Sequence, residues 1–278
     1  MCWFHTALNL LVAVPIVRSK LSRIDVPRDQ FEQCLADALS DIVARKSEKT
    51  IKLLFNLVKD FQGANNRYGQ LAVTDFVDYL VNNAPNLLDS IKCAITTKLQ
   101  CNRCKWVSVS NIRDIFYKLH IPPGHRKCLN FQALLDYNSR ISSQEMDSVW
   151  CHQCKLKTNQ NAIYESDSDV ILFEVIRVQE CVKGLGNGWA KNTIPINFST
   201  RNITLFGSRK FHVIGTCHHT GSLTHGHWYL KMCLSDGQWW ELNDLKAKHT
   251  KSTCPGVRDA TVVVLLCVAT DKLRQIAF

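Results

Sequence analysis

Two pairs of cysteines in the middle of the chain have the spacing of a metal site. Cys101 and Cys104 form one C-x-x-C pair, and Cys151 and Cys154 form another. Each pair places two thiolates at the tip of a tight turn, and two such turns make the tetrahedral shell of a zinc ribbon. Because a closed thiolate shell leaves no open position for water, the spacing predicts structural Zn²⁺. Redox-active thiols are the alternative.

The second candidate set joins the two ends of the sequence. Cys2 begins a helical pattern, and the positive end of a helix dipole stabilises a thiolate. Such a nucleophile needs a histidine base that is distant in sequence but close in the fold. His227 is the best candidate, since Gly226 before it allows close backbone approach. Asn243 or Asp244, on the next predicted strand, could fix the tautomer of the imidazole.

The composition is that of a globular protein with a sizeable core. The chain has 278 residues, of which 46% are hydrophobic and 21% charged. Its formal net charge of +10 would suit an anionic partner. The basic residues are scattered along the sequence, however, without a tight Lys/Arg run or a basic–aromatic stripe. Nucleic acid is therefore not expected as a partner.

The cysteines and the N-terminal residues indicate a reducing, intracellular compartment. The 13 cysteines are odd in number, and several lie in apolar runs, which is typical of reduced thiols rather than a disulfide framework. The first residues lack the basic region and cleavage site of a signal peptide. No uncharged run reaches the length of a bilayer span. These features predict a soluble intracellular protein, cytoplasmic or nuclear, without a membrane partner.

The periodicity predicts helices first and a sheet afterwards. Helical spacing occurs at residues 2–13, twice within 27–60, and at 75–88. Short strand-like runs begin near residue 97, a helical pattern returns at 130–147, and alternating or wholly apolar runs then continue to the C-terminal region. This order predicts an α+β fold whose second half is a mostly antiparallel sheet.

Several segments resemble, in the right order, the sequence boxes of the ubiquitin-specific proteases. They are CWFHTALNLL (2–11), GQLAVTDFVDYL (69–80), the two C-x-x-C pairs, KTNQNAIYESDSDVILFEVIRV (157–178), FHVIGTCHHTGSLTHGHWYLKM (211–232) and QWWELND (238–244). The resemblance covers nearly the whole chain. It implies a papain-like cysteine peptidase fold with thumb, palm and zinc-ribbon fingers. The implied single domain, 1–278, divides into a helical thumb (1–95), fingers (96–165) and palm (166–278).

The resemblance also implies residue roles. Cys2 would be the nucleophile, His227 the general base and Asn243 the residue that orients the imidazole, with Asp244 as a neighbouring support. The reaction would be hydrolysis of the isopeptide bond after the Gly-Gly terminus of ubiquitin, through a thioester. His218, His219 and His225 are expected to be loop or supporting residues rather than metal ligands.

The substrate tail would pass three residues. Gly226 would let the narrow tail pass the histidine, Trp228 would pack beside the tail channel, and Asp75 stands where the family has a glutamate that faces the arginines of the ubiquitin tail. Ala72 stands at the place of the companion aspartate, which removes a charge-assisted contact of roughly 1.5–3 kcal/mol. A SUMO tail has no arginine and therefore would not miss this contact. An acidic SUMO-like modifier also suits a basic enzyme. Ubiquitin is favoured because the fingers are present, and a deSUMOylating isopeptidase is the alternative.

The segment before the cysteine also departs from the family. An Asn-x-x-Gly-Asn-Thr run usually lies there and helps to form the oxyanion hole, in which one donor is worth roughly 3–4 kcal/mol. Only Met1 precedes Cys2, and His5, where Asn is common, could substitute in part. The sequence is then either a piece of a longer protein or an impaired enzyme, which would leave a modifier-binding pseudoenzyme. A zinc-ribbon nucleic-acid binder would leave the histidine-rich segment unexplained.

Overall fold

A computed structural model gives the architecture of most of the chain. It describes residues 2–23, 27–44, 46, 48–58, 61, 72–125, 127–144, 149–158, 160–181, 188–198, 203–206, 208–223, 225–233, 237–250 and 258–267. The first three residues of the GQLAVTDFVDYL box, 69–71, lie outside the described residues. The helices are α1 (Cys2–Ala13), α2 (Pro15–Leu21), α3 (Gln30–Val43), α4 (Lys49–Leu57), α5 (Val73–Asn83), α6 (Pro85–Leu88), a 3₁₀ turn (Asp89–Ile91) and α7 (Phe131–Gln144).

Two prolines divide the helical region more finely than the periodicity predicted. Pro15 starts α2 directly after α1, and the two helices are bent by 84°. The helix predicted over 75–88 is broken at Ala84, because the residue before a proline disfavours the helical conformation and Pro85 begins a new turn. Among the described residues no single helix is long and apolar enough to cross a bilayer, and only the bent pair α1 and α2 passes that test together.

A capping network ties α3 to the neighbouring helices. The Asp29 side chain accepts a 2.9 Å hydrogen bond from the backbone N–H of Glu32, which caps the helix. Glu32 is fully buried, and its two carboxylate oxygens accept from the N–H groups of Arg28 (2.7 Å) and Leu87 (2.9 Å). A buried carboxylate is tolerated here because both oxygens are hydrogen-bonded.

Most of the strands form one large sheet. They are β1 (Cys93–Cys101), β2 (Val107–Asp114), β3 (Phe116–His120), β4 (Leu129–Asn130), β5 (Val149–Cys151), β6 (Leu156–Thr158), β7 (Gln160–Glu165), β8 (Val170–Ile176), β9 (Val178–Cys181), β10 (Gly188–Lys191), β11 (Ile196–Asn197), β12 (Ile203–Leu205), β13 (Arg209–Gly221), β14 (Gly226–Cys233), β15 (Trp239–Asn243), β16 (Lys246–Thr250) and β17 (Ala260–Cys267). The large sheet has the order β16-β15-β14-β13-β17-β8-β3, with β12 on β13. Its pairs are antiparallel except for β3 with β8.

The large sheet is buried on both faces, which explains its wholly apolar strands. On β17, Val262 and Val264 join the apolar cluster that contains α1 and the thumb helices, whereas Val263 and Leu265 join a second cluster that contains α7. Successive side chains of a strand point to opposite faces. A strand covered on both sides therefore needs a continuous apolar run.

Smaller sheets project from this body. Strands β2, β1 and β7 form an antiparallel three-stranded sheet, and β5 with β6 forms a short hairpin. The predicted α+β class is thereby confirmed. The predicted domain limits at residues 95 and 165 stay predictions.

Candidate active site and metal centre

Helix α1 places Cys2 at the edge of the sheet. The helix packs against β13, β14 and β15, and half-buried Cys2 lies at its N-terminal end against the apolar cluster. The next two residues, Trp3 and Phe4, are buried, and their rings lie 4.8 Å and 5.5 Å from the ring of Phe76 on α5. The first turn of the helix is therefore fixed by aromatic packing on the thumb side.

The imidazole of His227 has the partner that the sequence predicted. His227 lies at the start of β14, and Asn243 ends the neighbouring strand β15. The His227 Nε2–H group donates to Asn243 Oδ1 over 2.7 Å. This hydrogen bond places the ring proton on Nε2 and leaves the lone pair of Nδ1 available as a base. The catalytic roles of Cys2, His227 and Asn243 stay predictions.

Asp244 is held by two side chains of α1. Its φ of 52° is left-handed, a conformation that costs a non-glycine residue of the order of 1 kcal/mol. The Asn9 side chain donates to the Asp244 carbonyl over 3.2 Å, and His5 Nδ1 lies 3.4 Å from Asp244 Oδ1. The helix that carries Cys2 thus also holds the turn that carries Asn243. The sequence predicted no such contact for His5, and its part in an oxyanion hole stays a prediction.

Gly226 makes room for the ring of His219. That ring is stacked on Trp228 with centroids 4.5 Å apart, and Lys191 Nζ lies 3.3 Å from His219 Nδ1. A Cβ atom at Gly226 would collide with the carbonyl of Thr220 and with His219 Nε2. The glycine therefore has a packing role beside the predicted one of letting a substrate tail pass. Burial, with the charge of Lys191, lowers the pKa of His219 to about 4, so this ring is neutral at pH 7.

A cavity of about 190 Å³ opens beside this stack. Its lining includes Trp228, His219, Ala72 and Glu174. Glu174 Oε1 accepts a 3.0 Å hydrogen bond from Thr74 on α5. Glu174 was not found from the sequence, because it lies within the apolar run of β8, in a box to which no site role was assigned.

Three carboxylates are close enough for their charges to interact, and one of them, Glu174, lines the cavity. Burial raises the pKa of Glu174, and the charges of Asp75 and Asp78 add to that rise. Asp75, predicted to face the substrate tail, is exposed on α5. The charge of Lys118 acts to lower the pKa of all three carboxyl groups and so offsets part of their mutual repulsion.

His218 belongs to a buried network beside the site. Its Nδ1 lies 3.1 Å from Asp259 Oδ1, and its Nε2 lies 2.8 Å from the hydroxyl of Thr216. Tyr229 stacks on the ring at 4.7 Å and donates to Asp259 Oδ2 over 3.1 Å. Burial acts to raise the pKa of Asp259, but the hydrogen bonds from His218 and Tyr229 outweigh it and lower that pKa to about 2. The network joins the start of β17 to β13 and β14.

The four predicted metal ligands lie together. The Sγ atoms of Cys101, Cys104, Cys151 and Cys154 are all within 4.8 Å of one another. The Cys101–Cys154 and Cys104–Cys151 pairs are separated by 3.9 Å and 3.6 Å. Sulfur atoms bound tetrahedrally to zinc at about 2.3 Å would be about 3.8 Å apart.

The backbone of both turns suits thiolate ligands. Each C-x-x-C pair is followed by a lysine in the left-handed conformation, Lys105 at φ 61° and Lys155 at φ 56°. Each lysine N–H donates to the carbonyl of the first cysteine of its pair. The hydroxyl of Thr158 and the N–H groups of the first turn lower the pKa of Cys101 to about 6, whereas the neighbouring thiols raise the pKa of Cys154. Four thiolates this close need a bound cation, so the cluster fits a metal ion.

Solved structures share this fold. The SAGA Ubp8/Sgf11/Sus1/Sgf73 DUB module bound to ubiquitin aldehyde matches with a TM-score of 0.73 and 15% sequence identity, over 96% of this chain and 67% of the other. A yeast SAGA DUB module matches with a TM-score of 0.70 and 15% identity, over 96% and 66%. The chain therefore spans about two thirds of the length of the chains it matches. No protein-family model and no curated protein sequence matches it.

The chain thus has a ubiquitin-specific-protease-like α+β fold. The predicted resemblance and the predicted fold class are confirmed at the level of the fold. The four-cysteine cluster is present within this fold.

Replacing a ligand tests the metal centre. Purified protein is expected to contain zinc in a one-to-one ratio with the chain, and Cys151→Ser is expected to lose the metal and to unfold at lower temperature, because the shell is left with three thiolates. Cys128→Ser, which alters an exposed cysteine outside the cluster, is the matched control. Elemental analysis and thermal unfolding measure both effects, and full zinc content in Cys151→Ser would contradict the assignment.

Two glycines of the same hairpin allow a matched test of the packing around His219. Gly226→Ala is expected to lower the free energy of unfolding by roughly 1–3 kcal/mol, because the added methyl group overpacks the hairpin. Gly215→Ala is the control, since its Cβ would meet Val264 Cγ2 at an ordinary 3.4 Å. Urea titration measures both variants, and equal stabilities would rule out the packing role.

Proposed function

We propose that the chain is a cysteine-type deubiquitinase that hydrolyses the isopeptide bond after the Gly-Gly terminus of ubiquitin. The observation that carries this proposal is the 2.7 Å hydrogen bond from His227 to Asn243, beside the helix that begins at Cys2. The fold adds support, because one matched structure is a DUB module bound to ubiquitin aldehyde.

Each residue of the set has a step in the proposed reaction. His227 Nδ1 takes the proton of the Cys2 thiol, and the resulting thiolate attacks the carbonyl carbon of the terminal glycine. The imidazolium then donates that Nδ1 proton to the departing lysine amine as the C–N bond breaks. A thioester and a free amine result. His227 then takes a proton from water, the hydroxide attacks the thioester, and Cys2 leaves as the thiolate. Asn243 holds the imidazole in the orientation that both steps require.

The metal centre would have a structural part in this enzyme. We propose Zn²⁺ as its ion, because four thiolates at tetrahedral spacing are a typical zinc shell. With four protein ligands the ion would hold the two cysteine turns together and would take no part in the reaction.

The acids at and near Glu174 would suit a tail with basic side chains, and the cations Arg177 and Lys191 line the same cavity. Trp228 and His219 would form an apolar wall, and Glu174, Asp75 and Asp78 would offer carboxylates to arginines of the ubiquitin tail. Trp228 and Gly226 keep their predicted substrate-side roles in this proposal.

A deSUMOylating isopeptidase is the second candidate. Ala72 lines the cavity at the place where the family has an aspartate, so one charged contact to an arginine-bearing tail would be lost. A modifier tail without arginine would not lose that contact. A protein that binds a modifier without hydrolysing its conjugates would use the same cavity.

Electrophilic modifier probes separate these candidates. Ubiquitin and SUMO, each with a C-terminal electrophile that traps a thiolate, are incubated side by side with the purified protein. A covalent adduct with ubiquitin is expected, and it should be absent in Cys2→Ala because the thiolate is gone. Intact-mass spectrometry measures the adduct. Cys34→Ala, which removes another half-buried cysteine, is the matched control and should label normally.

The outcomes have separate meanings. An adduct with SUMO alone would replace the first candidate by the second. Noncovalent binding of a modifier without any adduct would indicate a binding protein. Absence of both, in protein that retains zinc and unfolds cooperatively, would contradict the proposed function.

The contact between His5 and Asp244 leads to a further prediction about the rate of probe labelling. His5→Ala should slow probe labelling roughly 10- to 100-fold, because a small displacement of Asn243 misorients the imidazole. His5→Asn, whose amide can still donate to the carboxylate, should restore most of the rate. A time course of quenched labelling reactions measures the rates. Equal rates for wild type and His5→Ala would show that the contact has no positioning role.

A further inference from the structure

The fingers carry basic residues and no acidic ones over two long stretches. Residues 90–113 and 148–164 contain no Asp or Glu. Their basic residues are Lys92, Lys98, Arg103, Lys105, Arg113, Lys155 and Lys157. The two stretches are separated along the chain, so their basic residues form no continuous run in the sequence.

The metal centre brings the two stretches together at the tip of the fingers. Arg103 and Lys105 flank one cysteine turn, Lys155 and Lys157 flank the other, and all four side chains are exposed. The sulfur atoms of the two turns lie within 4.8 Å of one another, so the backbone turns that carry the four cations lie side by side. No ion pair found within the described residues involves any of the four. Glu165, the acid that follows the second stretch, pairs with Lys98 at 2.6 Å.

Aromatic rings lie among these cations. Trp150 on β5 is 48% exposed and pairs across the hairpin with Lys157. Trp106, half-buried after the first turn, contacts the exposed ring of His152 edge to face at 6.1 Å. We call these seven side chains the fingertip surface: Arg103, Lys105, Trp106, Trp150, His152, Lys155 and Lys157.

We propose that the fingertip surface binds single-stranded nucleic acid. Cations spaced around exposed rings match a strand in which phosphates alternate with planar bases, since phosphates pair with Lys and Arg while bases stack on aromatic faces. An acidic protein segment would use the cations but would offer no planar bases to the exposed faces of Trp150 and His152. The binding lies beyond the peptidase function and needs neither Cys2 nor His227.

Fluorescence anisotropy with the zinc-loaded protein tests the proposal. The probe is a labelled single-stranded RNA of about 12 nucleotides, within the range of known site sizes. Four phosphate contacts predict that the logarithm of the affinity falls with the logarithm of the salt concentration with a slope of about −3. Zinc content is measured in every variant, so that loss of binding through loss of the ribbon is recognised.

Matched variants localise the binding. Lys155→Gln with Lys157→Gln removes two phosphate contacts and should make the salt slope shallower by about 1.4. Lys49→Gln with Lys52→Gln removes the same charge from exposed positions on α4 and should leave the slope unchanged. Trp150→Ala should weaken binding roughly 5- to 150-fold, the expected loss for one stacked base.

Three results would overturn the proposal. The first is an RNA affinity that does not depend on salt or is undetectable at about 50 mM salt. The second is an equal loss in the α4 control, which would indicate nonspecific attraction by the net charge. The third is equal competition by polyglutamate of the same charge, which would show a site for acidic polypeptide. Modifier-probe labelling of the same samples reports on the peptidase independently.

Discussion

The packing of helix α1 is the constraint on which the rest of the site depends. The helix is buried along most of its length between the thumb helices and the large sheet. Its first residue is Cys2, and its Asn9 and His5 hold Asp244, the residue after Asn243. Each buried aliphatic side chain stabilises this arrangement by roughly 1.5–3 kcal/mol. Cys2 and the residue after Asn243 are therefore held by the same packed helix, although they lie at opposite ends of the chain.

The fingers depend on a different stabilising interaction. Their three-stranded sheet exposes Val109 and Ile163, so apolar burial contributes little at the tip. The cysteine cluster joins the β1–β2 end to the β5–β6 hairpin instead. A structural metal ion commonly replaces a hydrophobic core where a projection is too small to form one. The tip can then display charged and aromatic side chains without a cost to folding.

Parts of the fold and of the site could be predicted because their signals are local. The apolar spacing of residues 2–13 predicted α1 with its observed limits, and the C-x-x-C spacing predicted the four clustered cysteines. The pairing of His227 with Asn243 followed from resemblance to the order of the boxes. The interruptions were missed: α2 and the break at Ala84 arise from prolines inside otherwise helical patterns. Glu174 was missed because a single acid in a buried strand has no periodicity.

The sequence by itself determined helix α1, the order of helices before the sheet and the two pairs of clustered cysteines, because spacing along one helix or turn fixes which side chains share a face or a tip. Only the tertiary structure decided that His5 meets Asp244, that Gly226 accommodates the ring of His219, and that the cysteine turns of two acid-free stretches meet. Those contacts join residues of different elements. They depend on how the elements pack, and no local pattern records that packing.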